Sequence, residues 1–173
     1  MAFLEKDDML ANEVIKQTRA YLDYLEEHIE NVRLAFIELS EKCDGMAWVG
    51  DDLSWHTLRS EVLAHDMSKF SKEEFAQYRA KFYPTQAESN NTKQLDIDFD
   101  KAWANHKLKN SHHHETMNSY TDLVHMVIDW LAMSYKFGDT PREYYESNLD
   151  EIKLDQKYIE ELYEIFDRLE KSS

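Results

Sequence analysis

His65 and Asp66 set an imidazole beside a carboxylate in the segment Leu63-Ala-His-Asp-Met-Ser-Lys69, a stretch that otherwise reads as the middle of an apolar helix. Burying two such groups is costly unless something binds them, and a divalent cation is the commonest partner for nitrogen and oxygen donors together. The same chemistry recurs along the chain. His28, His106 and Asp129 each fall in a segment that reads as core, and the run His112-His113-His114 follows a helix end. Metal sites in helical proteins draw their ligands from several helices, so the telling pattern is polar residues at inward positions. His28, His65, Asp66, His106 and Asp129 come from four expected helices, with His112 or His113 able to join from the turn. That set suffices for one octahedral ion or for two ions bridged by Asp66. A bridged pair generates a nucleophile from water and neutralises phosphate oxygens, which suits hydrolysis of a phosphoester. Lys69 follows Asp66 by three positions and His65 by four, on the same expected helical face. It could bind a phosphate oxygen or protonate a leaving group. A donor set without thiolates argues against structural zinc, and Mn²⁺, Fe²⁺, Mg²⁺, Ni²⁺ or Co²⁺ fit His and Asp better.

The elements that must hold these residues are helices. Three glycines, two prolines and no strand-length alternation of apolar and polar residues point to an all-α fold of about six to seven helices in a single domain, with the metal site between helices. Residues from about Asp8 to Glu41 form a long amphipathic helix whose stripe Tyr21, Leu25, His28, Val32, Ala35 and Leu39 includes a histidine. Cys43 to Asp52, with Gly45 and Gly50, reads as a loop. A second helix from about Ser54 carries Trp55, Leu58, Val62 and His65 on one face. Ser71 with Glu74 makes a capping box for a short third helix ending before Pro84. Pro84 to Gln94 is polar and reads as a mobile loop, followed by a helix from about Ile97 to Lys109 with Phe99, Trp103 and His106 on one stripe. Asn110 to His114 turns the chain into a helix from about Glu115 to Phe137, where Asp129 stands beside Trp130 and is expected to be buried. Thr140-Pro141-Arg142-Glu143 supplies an N-cap, a first-turn proline and a capping glutamate, and a final amphipathic helix runs from about Leu154 to Glu170.

A chain of 173 residues suits one domain, with no internal repeat. The lone Cys43 excludes an internal disulfide, no basic-then-apolar leader opens the chain, and no apolar run approaches the ~20 residues of a bilayer span. A reducing, cytoplasmic setting without membrane insertion is the expectation. The formal charge of −15, from 35 acidic against 20 basic residues, sets a mean field that repels polyanions, so nonspecific nucleic-acid binding is not expected. A small phosphorylated substrate is compatible with that charge, because divalent ions reverse the field locally. Oligomeric state has no readable signal.

The ordered set His28, His65-Asp66, His106, His112 or His113, and Asp129 resembles the HD superfamily of metal-dependent phosphohydrolases, whose binuclear members show a single His, the His-Asp doublet, two further His and then Asp. The doublet continues as His-Asp-x-x-Lys, with Ser68 where many members have Gly. Leu63 to Phe70, His106 to Glu115 and Met126 to Trp130 are similar, more narrowly, to a small uncharacterised HD-like family of bacteria and their phages, and the resemblance spans roughly residues 20–145. It implies that His28, His65, Asp66 and Asp129 hold a first ion, that His106 with His112 or His113 holds a second, and that Asp66 bridges them, with Lys69 on phosphate. By position in the smaller family's Asn-x-His-His-x-Glu pattern, His112 and His113 are the favoured added ligands. The implied activity is hydrolysis of a small phosphoester, a nucleotide or cyclic nucleotide, with Asp66 and Lys69 as the catalytic residues. The same fold and ligand order also serve di-iron oxygenases.

Each residue has a plainer reading. His28 and His106 could be core histidines satisfied by backbone carbonyls or, for His28, by Glu27. His65-Asp66 could be a helix-end pair with Lys69 in a surface salt bridge, and Asp129 could cap a helix or pair with Arg79. His125, one turn before Asp129, reads as auxiliary or packed, and His56 and His114 read as solvated. Phe75, Tyr78, Phe82 and Tyr83 read as a packing stripe, and Trp48, Trp55, Trp103 and Trp130 as core seals. If every plain reading held, the chain would be a non-catalytic acidic helical binding protein of a kind that phages encode.

Overall fold

The computed structural model describes residues 2–43 and 55–171, with side chains described from residue 9 onward. Of the expected loop from Cys43 to Asp52, only Cys43 falls among the described residues, and Trp48 lies outside them. All regular structure in the described residues is helical: α1 (Ala2–Lys42), α2 (Trp55–Leu63), α3 (Phe75–Phe82), α4 (Gln86–Ser89), α5 (Thr92–Lys109), α6 (Tyr120–Phe137), α7 (Pro141–Ser147) and α8 (Gln156–Glu170), with a 3₁₀ turn over Met67–Phe70. None of these helices is long and apolar enough to cross a membrane.

Contacts within the chain group it into two compact units, Met1–Glu27 with Asp66–Lys109, and His28–His65 with Asn110–Ser173. The backbone passes from one to the other at Glu27-His28, His65-Asp66 and Lys109-Asn110.

The larger unit is organised by α6, the most apolar helix. Leu123, Val124, Val127 and Ile128 have no exposed surface, and they share a core with Val32, Ala35 and Leu39 of α1, Leu58 and Val62 of α2, and Leu162, Ile165 and Phe166 of α8. Each of these Val, Leu, Ile and Phe side chains stabilises the unit by about 1.5–3 kcal/mol relative to exposure. The start of α6 is set by Ser119, whose Oγ accepts from the Asp122 amide at 3.1 Å while the Asp122 carboxylate accepts from the Ser119 amide at 3.0 Å. This capping box satisfies the first-turn donors. It places the start at Tyr120, five residues after the expected Glu115. Its end is set by Gly138, at φ 82°, whose N–H donates to the Ser134 carbonyl at 2.8 Å. Nothing lies within 4 Å of a Cβ built there, so Gly138→Ala should cost only backbone strain, about 1 kcal/mol, read as a lower urea midpoint with an unchanged slope. Thr140, Pro141 and Glu143 cap α7 as the sequence indicates.

In the smaller unit, Tyr21 and Leu25 of α1 pack with Tyr78 and Ala102, flanked by Phe75, Tyr83, Phe99 and Trp103. The ring centroids of Tyr21 and Phe75 are 5.3 Å apart and those of Tyr78 and Phe99 5.1 Å, so this aromatic cluster is packing material. Two expectations are corrected here. Pro84 to Gln94 is not a loop throughout: Thr85 caps the short α4, and α5 already begins at Thr92. Arg79 holds α4 in place with two 2.6 Å bonds to Glu88, which draw that carboxyl down to about 2. Ser71 and Glu74 do not form a capping box for α3 either. Glu74 itself takes the N-cap position without a side-chain cap bond, and its carboxylate is committed elsewhere.

Candidate metal centre

The His65-Asp66 doublet is not in the middle of a helix. α2 ends at Leu63, the His65 amide reaches the Val62 carbonyl at 3.2 Å, and Asp66 adopts a left-handed backbone conformation with φ 59° before the 3₁₀ turn begins. Such a conformation disfavours side chains other than those of Gly, Asn and Asp, so an aspartate suits the position locally as well as chemically. Leaving the helix here turns His65 and Asp66 away from helical register, and both are 2% exposed.

In the larger unit His28, His65 and Asp129 converge. His28 Nε2 lies 3.0 Å from His65 Nε2, and Asp129 Oδ1 lies 3.3 Å from the first and 3.5 Å from the second. Asp129 thus pairs with histidines, while Arg79 pairs with Glu88. With 19% of its side chain exposed, the carboxylate is less buried than the sequence suggests. Burial pushes its carboxyl upward, and the hydrogen bonds and charges of His28 and His65 outweigh that, holding it well below the usual carboxylate range. A circle through three atoms with those separations has a radius of roughly 1.9 Å, smaller than the ~2.0–2.1 Å of a metal–imidazole bond, so a single ion can contact all three atoms. The donors therefore fit a divalent cation.

His125 stands behind this triangle. Its Nε2 is 3.1 Å from His65 Nδ1, and its Nδ1 is 3.7 Å from Glu61 Oε2. With its proton on Nδ1, donated to His125, His65 would turn its Nε2 lone pair toward His28 and Asp129, and a hydrogen bond at the second nitrogen is how ligating histidines are held. The His112 ring lies 4.6 Å from that of His65 and 4.5 Å from that of His125, and His65, His112 and His125 offer ligand atoms all within 4.8 Å of one another. Burial, reinforced by the neighbouring histidines His65 and His125, pushes the His112 imidazole well below its ordinary value; burial likewise lowers His125. Both rings are held neutral, the form that binds metal. The consecutive histidines separate: His112 is buried, His113 is half-buried with its ring 4.4 Å from that of His112, and His114 turns to Glu115 at 3.3 Å. His56 is exposed, as expected.

The smaller unit holds Asp66, Lys69 and His106. Lys69 Nζ donates to Asp66 Oδ2 at 2.5 Å and sits 5.4 Å from the Tyr78 ring centre. His106 Nε2 is 3.1 Å from Asp66 Oδ1, and its Nδ1 is 2.9 Å from Glu74 Oε2. Glu74, fully buried, also accepts from Ser68 Oγ at 2.8 Å and from Asn105 Nδ2 at 2.7 Å. Burial raises the Tyr21 and Tyr78 phenols, and the charges of Asp66 and Glu74 add to it.

Of the residues picked out by sequence, His28, His65, His112, His113 and Asp129 thus belong to the larger unit, and Asp66, Lys69 and His106 to the smaller. Sequence reasoning missed Glu61 and Glu74 and undervalued His125. His125 carried a readable signal in its spacing of one turn before Asp129. Glu61 carried none, being one among 35 acidic residues, and the spacing of Glu74 from Ser71 pointed to a helix cap instead.

Residues 17–168 match the model of a family of unknown function, DUF5662, and the chain belongs to that family. No curated protein and no solved structure matches it.

Proposed function

We propose that this protein is a metal-dependent phosphohydrolase acting on a small phosphoester, with nucleotides and cyclic nucleotides the substrate class. The observation that carries the reading is the convergence of His28 Nε2, His65 Nε2 and Asp129 Oδ1 at 3.0–3.5 Å, a spacing suited to ligands sharing one cation. To these the ordered HD-like pattern adds Asp66, His106 and His112 or His113. A divalent ion held by His28, His65 and Asp129 would polarise a phosphoryl oxygen and lower the pKa of a water molecule. The protein's own groups do the rest. His28 and His65 present lone pairs from buried positions beside the partly exposed Asp129, and His125 keeps the His65 ring in the ligating orientation. Lys69, already held by Asp66, donates to a phosphate oxygen and offsets charge that builds up as water adds to phosphorus and the ester oxygen leaves.

The test is turnover of the full chain reconstituted in turn with Mn²⁺, Mg²⁺, Ni²⁺, Co²⁺ and Fe²⁺. The substrates are bis(p-nitrophenyl) phosphate and a panel of nucleoside monophosphates and cyclic nucleotides, and dioxygen is monitored throughout. Phosphoester cleavage with Mn²⁺ under anaerobic conditions is the expected result, and Lys69→Ala should lower kcat/KM by about 10²-fold. Dioxygen consumption that requires iron, with no cleavage under any metal, would replace hydrolysis by oxygenase chemistry. Inertness of a metal-loaded protein toward every substrate and dioxygen would favour a binding role.

A further inference from the structure

We infer that Glu74 is a positioning residue that fixes His106 with its proton on Nδ1, so that His106 binds metal through Nε2. This inference rests on the metal-binding reading above and extends it to a residue outside the ligand pattern.

Glu74 is a fully buried carboxylate in the smaller unit, whose core is largely aromatic, a costly placement unless its lone pairs are taken. Three donors take them. Asn105 Nδ2 donates to Oε1 at 2.7 Å, and Ser68 Oγ donates to Oε2 at 2.8 Å. The third is His106 Nδ1, 2.9 Å from Oε2. A carboxylate only accepts, so the proton in that contact belongs to the imidazole. Ser68 points the same way. Its hydroxyl hydrogen is directed at Glu74, so its oxygen, 3.1 Å from His106 Nδ1, is a second acceptor for the same N–H.

With Nδ1 committed to Glu74, Nε2 is the ring atom that a metal ion would take, displacing any proton shared with Asp66 Oδ1, which it faces at 3.1 Å. Two ligand atoms bonded at ~2.1 Å to one octahedral ion stand about 3 Å apart, so this edge has the length of a shared coordination edge. The ring is held on its flanks as well: Trp103 stacks on it with centroids 5.6 Å apart, and Tyr78 lies at 5.8 Å. Glu74 therefore sets the rotation and the tautomer of His106 together. That role explains why a glutamate at the start of α3 forgoes capping the helix.

The test uses the full chain with ¹⁵N-labelled histidine, loaded with ¹¹³Cd²⁺, and long-range ¹H–¹⁵N spectra that report which ring nitrogen carries a proton and which couples to the metal. The expected spectrum shows cadmium coupling at His106 Nε2 and a proton at Nδ1. Glu74→Gln should weaken cadmium binding at His106 by 10–100-fold, with the His65 signals and far-UV circular dichroism unchanged. Coupling at His106 Nδ1, or absence of coupling at His106 while His28 and His65 are coupled, overturns the inference and leaves the metal site standing. An unchanged affinity in Glu74→Gln also overturns it. Absence of cadmium coupling at every histidine overturns the metal-binding reading itself. Should Glu74→Gln fail to fold, the wild-type spectrum still decides.

Discussion

Asp66→Ala is expected to abolish retention of metal and, with it, turnover, while Asp66→Asn should lose the metal at a smaller cost to the fold. The two substitutions separate two roles of one residue. Asp66 holds a left-handed backbone conformation, which costs an alanine about 1–2 kcal/mol and an asparagine much less. Its carboxylate binds Lys69 through Oδ2 and faces His106 through Oδ1. Both variants remove the charge that opposes Lys69, and both remove the negative charge of the proposed metal ligand. Metal content and thermal unfolding measured side by side on the two variants check this. Equal loss of metal with a lower Tm for alanine is the predicted pattern; full activity and stoichiometric metal in Asp66→Ala would show the site assignment to be wrong.

Acid should destabilise the metal-free protein earlier than carboxylate titration alone explains. His112 and His125 have folded-state values pushed down by burial. Below the ordinary histidine value near 6.5 the unfolded chain takes up protons that the folded chain refuses. Their stabilising contribution is thus complete above about pH 6.5 and is lost as pH falls below it, by at most about 1.4 kcal/mol per pH unit for each histidine. Asp129 acts in a lower window. Its folded value is depressed, so its contribution is complete above the ordinary carboxylate range near 3.9 and is lost as pH falls through the folded value. Urea melts of chelator-treated protein from pH 7.5 to 4.5 should show stability falling through this range, and His112→Phe should flatten the slope. A pH-independent midpoint from 7 to 5 would contradict the burial of neutral histidines. Saturating Mn²⁺ should steepen the fall, since protons then compete with metal for the same nitrogens.

The helices were legible because their periodicity is strong. The stripe from Tyr21 to Leu39 and the apolar run of α6 need only 3.6-residue spacing to be read. Boundaries failed where side-chain bonds overrule composition. Thr85 and Glu88 fold a helix out of a polar segment, and the start of α6 follows Ser119 and Asp122 rather than hydrophobicity. The doublet shows the same limit in another form. An apolar helix reads smoothly through Leu63 to Lys69, yet α2 ends at Leu63, and the left-handed turn at Asp66 that follows has no periodic signature to be read. The ligand candidates were readable as polar residues in apolar surroundings, and His28, His65 and Asp129 do converge. The glutamates that face His125 and His106 were not, since Glu61 looks in sequence like a member of an acidic, solvated surface and Glu74 like a helix cap.

The most direct test of the central claim is metal content by inductively coupled plasma mass spectrometry on untagged protein purified without chelators, beside Asp66→Asn. One to two equivalents of Mn, Fe, Ni, Zn or Co in the wild type, absent from the variant, is the predicted result. No metal in either protein, even after reconstitution with Mn²⁺ and Fe²⁺, would contradict it and return the histidines to the role of packed core residues.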